Sequence, residues 1–167
     1  MGETNGITIE PMQKNDLEQV MAIEQASFTM PWSRNLFLSE LRSRTVATLL
    51  VALAQGTPGR EVVGYIVYWL VADEMHILNL ATSPAYRRKR IAKRLVLTAI
   101  KTAFDSGARL SFLEVRASNV EAQKLYADIG FISSYTREEY YDQPVEDAVV
   151  MKLERKTMEE ITLDYTV

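Results

Sequence analysis

Hydrophobic and polar residues alternate with two different periodicities along this chain, one typical of strands and one typical of helices. Short runs that are apolar throughout, or apolar at every second position, predict strands because successive side chains of a strand point to opposite faces. The predicted strands cover Ile7–Ile9, Thr48–Ala54, Val62–Val71, Met75–Thr82, Leu110–Val115, Phe131–Tyr140 and Ala148–Leu153. A turn rich in glycine and proline, QGTPGR, joins the second and third strands and predicts a hairpin.

Between the strands, apolar residues recur at the three- and four-residue spacing of amphipathic helices. The predicted helices begin at Asn15 or Asp16, at Ser33, at Ile91 and at Ser118, and they end near Ala26, Leu41, Gly107 and Gly130. The first two start at side chains that accept hydrogen bonds from the free N–H groups of a helix start. Ser118 with Glu121 has the spacing of a capping box. Strands that alternate with helices, with antiparallel strands at both ends of the chain, predict a mixed α/β fold.

Composition narrows the class of protein. The chain has 167 residues, of which 47% are hydrophobic and 25% charged, as expected for one soluble globular domain. A net charge of −3 argues against a protein that binds nucleic acid over a basic surface. The absence of cysteine and the presence of one histidine exclude disulfides, thiol nucleophiles and the usual zinc sites, so no metal is expected. That histidine, His76, continues a strand with Ile77 and Leu78, and a structural role is expected for it.

The apolar stretches and the two ends of the chain predict its cellular location and its domain boundaries. The first ten residues are polar and lack the apolar run of a signal peptide. The longest apolar stretch, Val62–Ala72, is about half the length of a membrane span. We therefore expect a cytoplasmic protein that does not contact a membrane. A single domain is expected over residues 1–153, followed by a loosely held tail over residues 154–167.

A cluster of cations opens the helix that begins at Ile91. The six residues are Arg87, Arg88, Lys89, Arg90, Lys93 and Arg94. One interpretation is an ordinary solvated helix face. However, a helix N-terminus carries partial positive charge and unpaired N–H groups, so cations there are unfavourable by about 0.3–1 kcal/mol each. A bound phosphate or pyrophosphate removes that conflict, and the cluster therefore favours a phosphate-bearing ligand.

The segment from Arg87 to Ala92 resembles the acyl-CoA-binding motif of the GCN5-related N-acetyltransferases (GNAT superfamily), which is Arg/Gln-x-x-Gly-x-Gly/Ala between a strand and a helix. Arg87 takes the first place and Ala92 the last, while Arg90 stands where the first glycine is usual. A helical backbone, without a positive φ, is expected at Arg90. The resemblance implies a mixed, mostly antiparallel sheet flanked by helices, with a splayed central strand pair that forms the acyl-CoA cleft. It also implies that acetyl-CoA is bound by Leu80, Ala81, Thr82, Arg87, Arg88, Lys89, Arg90, Ile91, Ala92 and Lys93.

A longer segment, LEVRASNVEAQKLYADIGF from Leu113 to Phe131, resembles the RimI-type ribosomal-protein-alanine N-acetyltransferases of that superfamily. The resemblance extends to FTMPWS near the start and to EEYYDQPVEDAVVMKL near the end. It implies that Glu114 is a general base that removes a proton from the attacking ammonium, directly or through water. The residues themselves leave an alternative open, in which Glu114 pairs with Arg116 two positions along the strand.

Tyr126 lies about two helical turns after Asn119. The resemblance places its hydroxyl near the thioester sulfur, where it can protonate the departing thiolate, because a phenol has a pKa of about 10 and a thiol about 8.5. It also implies that Asn119 and Tyr126 contact the pantetheine arm of acetyl-CoA. The alternatives are a tyrosine that packs in the core beside Leu125 and an asparagine that only caps its helix.

The acceptor is expected to be the N-terminus of a protein, and the resemblance suggests a ribosomal protein. At pH 7, deprotonation costs about 1 kcal/mol for an α-amino group and about 4–5 kcal/mol for a lysine, so one carboxylate suits the easier task. Phe28, Trp32, Tyr140 and Tyr141 lie in two loops that resemble the peptide-binding walls of the family, and ordinary loop packing is the alternative. Glu114 is expected to contact the same acceptor.

Two other functions stay open on the residues alone. One is an N-acetyltransferase that acts on lysine, a polyamine or another small amine. The other is a non-catalytic module that binds CoA or nucleic-acid phosphate through the cationic cluster. The acidic net charge argues against nucleic acid as a partner.

Overall fold

The computed structural model describes residues 6–43, 45–56 and 58–156. The strands are β1 (Ile7–Pro11), β2 (Ala47–Ala54), β3 (Glu61–Val71), β4 (Glu74–Thr82), β5 (Leu110–Arg116), β6 (Ile132–Asp142) and β7 (Val145–Glu154). The helices are α1 (Leu17–Ser27), α2 (Arg34–Arg42), α3 (Ile91–Asp105) and α4 (Val120–Ala127), and short 3₁₀ turns cover Lys14–Asp16 and Pro84–Tyr86. Every predicted strand and helix is present at its predicted place.

The strands form one mixed sheet in the order β1-β2-β3-β4-β5-β7-β6. The neighbours β1 and β2, β2 and β3, β5 and β7, and β7 and β6 are antiparallel. β4 and β5 are parallel, from the pair Glu74–Leu110 to the pair Ile77–Leu113. The mixed, mostly antiparallel sheet flanked by helices is therefore confirmed, and so is the β2–β3 hairpin. That the central pair forms an acyl-CoA cleft stays a prediction.

The chain forms two compact units, one of Met1–Trp69 with Asn79–Ala99 and one of Leu70–Leu78 with Ile100–Val167. In the first unit, α1 buries Leu17, Val20 and Ile23, which share one face of the helix. α2 packs against α1 and β2. The central residues of β2 and β3 are buried almost without interruption, because helices and strands cover them.

The start of α1 differs from the prediction in its hydrogen bonds. Asp16 occupies the N-cap position, but its side chain makes no capping hydrogen bond. Instead, its carboxylate accepts hydrogen bonds from the Gln13 backbone N–H at 2.7 Å and from the Arg60 guanidinium at 2.7 Å and 3.2 Å. Ser33 caps α2 as predicted, since its hydroxyl accepts the Leu36 N–H at 3.2 Å.

In the second unit, β5 alternates between buried and partly exposed residues. Gly107, with φ of +106°, ends α3 near its predicted end. The predicted capping box at Ser118 is wrong: Asn119 is the N-cap, and its side chain accepts the Ala122 N–H at 3.1 Å. Glu146 is the reason, because its carboxylate already holds the Ser118 backbone N–H.

The predicted tail is described only at its start. Glu154 closes β7, and the backbone N–H of Arg155 donates to the Arg109 carbonyl at 2.9 Å. The remainder, residues 157–167, lies outside the described residues, and the predicted domain limits stay a prediction. Within the described ranges, no helix combines the length and the hydropathy that a membrane crossing requires.

Candidate active site

The cationic cluster begins with a strained backbone. Arg88 and Arg90 have φ of +61° and +58°, in the left-handed region that costs a non-glycine residue about 1–2 kcal/mol. The Arg90 carbonyl accepts the Arg94 N–H at 3.1 Å, so Arg90 is the N-cap of α3. The expectation of a helical backbone at Arg90 is therefore wrong. The chain must turn tightly between the 3₁₀ turn Pro84–Tyr86 and α3, and Arg90 adopts there the conformation that a glycine reaches without strain.

The side chains at the tip of this turn are exposed to solvent. Within the described part of the chain, no carboxylate lies at salt-bridge distance from Arg87, Arg88, Lys89 or Arg90. Lys89 lies over the ring of Tyr86, with its Nζ 4.8 Å from the ring centre. The turn therefore presents several uncompensated positive charges beside the N-terminus of a helix, which favours a bound anion.

The first residues of α3 have other tasks. Arg94, the sixth cation of the cluster, turns towards β1, where its Nη2 donates to the Ile7 carbonyl at 2.9 Å. Ile91 is buried in the core, and Ala92 and Lys93 are partly buried. Ile91 can therefore meet a phosphate only through its backbone N–H.

Gly64 allows β3 to lie close against this turn and the end of β4. A Cβ atom at Gly64 would lie 3.1 Å from the Ala81 carbonyl oxygen, 3.2 Å from Ile91 Cγ2 and 3.3 Å from Leu95 Cδ1. The Tyr86 hydroxyl adds a second link, since it donates to Glu61 at 3.0 Å. These contacts fix the start of α3 on the sheet.

The predicted pantetheine-binding residues, Leu80, Ala81 and Thr82, are the last three residues of β4. The Ser83 N–H, just after them, donates to the Val63 carbonyl at 2.9 Å. The Thr82 hydroxyl is buried, and among the described residues it has no hydrogen-bond partner. Because an unpaired buried hydroxyl is unfavourable, Thr82 fits a ligand that brings its own polar group, such as the amides of pantetheine.

Glu114, the predicted base, is held by two cationic or hydrogen-bonding side chains of the second unit. Its Oε2 lies 2.6 Å from His76 Nε2, and its Oε1 lies 3.5 Å from Arg137 Nη2. The hydrogen bond to His76 lowers the pKa of Glu114 against the opposing effect of partial burial, and the charge of Arg137 lowers it further. The carboxylate is therefore ionised and fixed in direction at neutral pH.

The alternative pairing of Glu114 with Arg116 is wrong. Arg116 forms its salt bridge with Glu146 at 3.2 Å, and it also donates to the carbonyls of Gln143 and Pro144. Its guanidinium lies over the Tyr141 ring, 4.1 Å from the centre. Arg116 thus braces the β6–β7 hairpin, and this leaves Glu114 to His76 and Arg137.

Tyr126 is buried in α4, and its ring meets Phe131 edge-on at 5.7 Å. Burial raises the pKa of Tyr126 above its ordinary value, and Tyr141 raises it further, so the phenol is protonated at neutral pH. Packing and proton donation are compatible for this side chain. Asn119 caps α4, which was the alternative to binding the donor; its contact with acetyl-CoA stays a prediction.

The four predicted acceptor-binding aromatics are divided between the units. In the first unit, Phe28 is 39% exposed, and the Trp32 ring packs 5.2 Å from that of Phe37. In the second, Tyr140 and Tyr141 lie in β6 and not in a loop, with their rings edge-on at 5.1 Å. The strand continues through them because a register shift between Arg137 and Tyr141 absorbs the irregular residues.

Sequence reasoning missed His76 as the partner of Glu114. Its ring also stacks on Phe112 with centres 4.3 Å apart. The sequence carried no local signal for this pair. His76 reaches Glu114 because β4 and β5 are parallel neighbours in which His76 is paired with Phe112, and the sequence does not reveal that strand order. Glu24 was also missed, although an acidic residue on the apolar face of α1 was visible in the pattern. Within the described ranges, no group of three or more His, Asp or Glu side chains is placed to hold a metal ion.

Comparison with known proteins finds a family profile and several relatives that match this chain. The sequence profile of the Acetyltransferase (GNAT) family matches residues 17–131. A Bacillus subtilis (strain 168) protein, provisionally named a ribosomal protein bS18-alanine N-acetyltransferase, is 35% identical over 143 residues, which cover 86% of this chain and 92% of that protein.

Two solved structures extend the comparison. The crystal structure of the ribosomal-protein-S18-alanine N-acetyltransferase from Escherichia coli matches with a TM-score of 0.78 and 30% identity, over 89% of this chain and 93% of that one. The NatC complex bound to Gag peptide and CoA matches with a TM-score of 0.78 and 25% identity, over 89% of this chain and 98% of that one.

Members of this family transfer an acetyl group from acetyl-CoA, which is the predicted donor. The profile covers more than half of the sequence, and the relatives are matched over nearly their whole length. The chain therefore belongs to the acetyltransferase (GNAT) family and is an acetyl-CoA-dependent N-acetyltransferase.

Proposed function

We propose that this protein acetylates the α-amino group of the N-terminal alanine of ribosomal protein bS18. The observation that carries the proposal is the ionised carboxylate of Glu114, which His76 and Arg137 hold in place on β5. The relatives described above are named for that acceptor. The cytoplasmic location expected from the sequence suits a ribosomal protein as acceptor.

Glu114 is the proposed general base. Its lowered pKa means that the carboxylate is free to accept a proton at neutral pH. The same low basicity restricts it to amines that give up a proton easily. An α-ammonium group, with a pKa of about 8, loses its proton at about 3 kcal/mol less cost than a lysine with a pKa of about 10.4. This difference favours a protein N-terminus over a lysine side chain.

The proposed donor site uses the exposed cations Arg87, Arg88, Lys89 and Arg90 and the free N–H groups at the start of α3 to hold the diphosphate. When bound, acetyl-CoA supplies the acetyl group as a thioester. The amine nitrogen attacks the carbonyl carbon, a C–N bond forms and the C–S bond breaks. Glu114 takes one proton from the ammonium before the attack, and Tyr126 donates a proton to the departing sulfur. The second proton, which the nitrogen loses on becoming an amide, returns to the Tyr126 oxygen through water.

The test is an acetyl-transfer assay with three acceptors. The first is a peptide with the alanine-starting N-terminal sequence of bS18, the second is the same peptide with a blocked N-terminus and an internal lysine, and the third is spermidine. We expect release of CoA and gain of one acetyl group with the first peptide alone. Acetylation of the second or third instead would refute a protein N-terminus as the acceptor.

A matched pair of variants tests the base. Glu114→Gln keeps the shape of the side chain and removes its basicity, so we expect turnover to fall by about 100-fold or more. Glu138→Gln, on exposed β6, makes the same chemical change away from the proposed base and serves as the control. Equal turnover in the two variants would show that Glu114 is not the base.

A further inference from the structure

Glu24 is a buried carboxylate in the first unit that the proposed reaction does not use. It lies in α1 and is 1% exposed, and three side-chain or backbone donors surround it. Its Oε1 accepts the backbone N–H of Trp32 at 2.7 Å. Its Oε2 accepts the Tyr65 hydroxyl, and the Asn79 amide donates to both oxygens at 3.3 Å and 3.1 Å. The carboxylate is therefore fully engaged by groups from three separate elements.

Together with two aromatic contacts, these hydrogen bonds connect both ends of the segment of residues 28–32 to the protein core. The Tyr65 ring meets the Phe37 ring edge-on at 5.6 Å, and Phe37 in turn packs 5.2 Å from Trp32. Trp32 is thus held at two points: its ring packs against Phe37, and its backbone N–H donates to the Glu24 carboxylate. The other end of the segment is held by the backbone of Glu24, because the Phe28 backbone N–H donates to the Glu24 backbone carbonyl at 3.1 Å.

Between these two anchors the segment stays open to solvent. Phe28 is 39% exposed and Met30 is 54% exposed, so two large apolar side chains are kept at the surface by a buried charged group. Stability alone does not account for this arrangement, because replacing a buried charge by well-packed apolar residues is often neutral or stabilising. A buried, fully hydrogen-bonded network is better suited to fixing one conformation.

We propose that Glu24 is a positioning residue whose carboxylate, supported by Tyr65 and Asn79, fixes residues 28–32 in the conformation that receives the acceptor. This inference rests on the proposed function and on the resemblance described above, which places Phe28 and Trp32 at the acceptor. Burial and the charge of Glu24 raise the pKa of Tyr65, so its phenol remains a hydrogen-bond donor throughout the neutral range.

Kinetics separate positioning from a general loss of structure. Glu24→Ala leaves three donors without their acceptor, and we expect the KM for the bS18 peptide to rise about tenfold or more while the KM for acetyl-CoA changes less than about twofold. Glu24→Gln keeps an oxygen for the Trp32 N–H, and we expect an intermediate KM. Glu18→Ala, on the exposed side of the same helix, is the matched control and should behave like the wild type.

A second measurement does not depend on activity. The chain has two tryptophans, Trp32 and Trp69, so the variant Trp69→Phe makes Trp32 the only indole reporter. In that background, we expect acrylamide to quench Trp32 fluorescence more strongly after Glu24→Gln or Tyr65→Phe, since each keeps the packing and weakens the network. Unchanged quenching in both variants would overturn the inference.

The two proposals fail in different ways. A wild-type protein that acetylates none of the acceptors would overturn the proposed function, and this inference with it. An active wild-type protein whose Glu24→Ala variant keeps its KM for the peptide would overturn the positioning role alone. An equal rise in both KM values would also overturn it, because that result describes general damage to the fold.

Discussion

Three neighbouring arginines differ in backbone conformation, and that difference predicts how each responds to glycine. Arg88 and Arg90 have φ of +61° and +58°, whereas Arg87 has φ of −61° and ψ of +159°, an ordinary extended conformation. We expect Arg88→Gly and Arg90→Gly to be more stable than Arg87→Gly. All three substitutions remove one positive charge from an exposed side chain near the same helix start, so Arg87→Gly is a matched control.

The size of the effect follows from the strain. Glycine relieves the left-handed conformation, which costs an arginine about 1–2 kcal/mol. It also loses about 0.4–1 kcal/mol through the greater freedom of the unfolded chain, but this loss is common to all three variants. The difference between Arg90→Gly and Arg87→Gly is therefore about 1–2 kcal/mol in the free energy of unfolding, or about 2–8 °C in Tm for a chain of this size.

The assay is thermal and urea unfolding, followed by circular dichroism, without acetyl-CoA. Equal stability of Arg90→Gly and Arg87→Gly, or a lower stability of Arg90→Gly, would refute the reasoning. Calorimetry with acetyl-CoA on the same proteins shows whether binding follows a different order. We expect all three to bind more weakly, because each has lost a cation that can contact the diphosphate.

Three further outcomes test the site and its support. His76→Phe removes the hydrogen bond that contributes most to the lowered pKa of Glu114, so that pKa rises and the low-pH limb of kcat/KM should move to higher pH; a limb that stays in place would contradict this. Tyr126→Phe should lower kcat by about 100-fold with little change in the Kd for acetyl-CoA, and an equal loss in both would mark the tyrosine as structural. Gly64→Ala should lower the free energy of unfolding in urea by about 1–3 kcal/mol, because the added Cβ would lie within 3.3 Å of atoms of β4 and α3. Gly6→Ala is the control and should match the wild type, because a Cβ there has no atom within 4 Å.

The order and type of the elements were predictable because each carries its own periodic signal. The apolar stripe of α3 and the alternation of β5 need no information from elsewhere in the chain. Local hydrogen bonds were less predictable where a distant residue competes. Asn15 or Asp16 was expected to cap α1, but Arg60, far along the chain, holds the Asp16 carboxylate. Glu146 similarly displaces the cap of α4 from Ser118 to Asn119.

In the candidate site too, features set by local sequence were predictable and contacts made by distant residues were not. A carboxylate in an apolar strand and a cationic helix start were visible in the sequence and drew attention to Glu114 and Arg87. The partner of Glu114 was not visible, because the parallel pairing of β4 and β5 brings His76 to it across a long stretch of chain. The backbone at Arg90 also could not be predicted, since a local preference for helix gave way to a tight turn imposed by its neighbours.

Arg94 ties the first strand of the protein to the helix that is proposed to hold the donor, through its hydrogen bond to the Ile7 carbonyl. Trimming the amino terminus into β1 would remove this hydrogen bond and weaken the attachment of the helix that is proposed to bind the diphosphate. Truncations that remove Ile7 would therefore alter the affinity for acetyl-CoA even though they lie far from Glu114 in sequence. Kinetic comparisons are best made on protein whose first strand is intact.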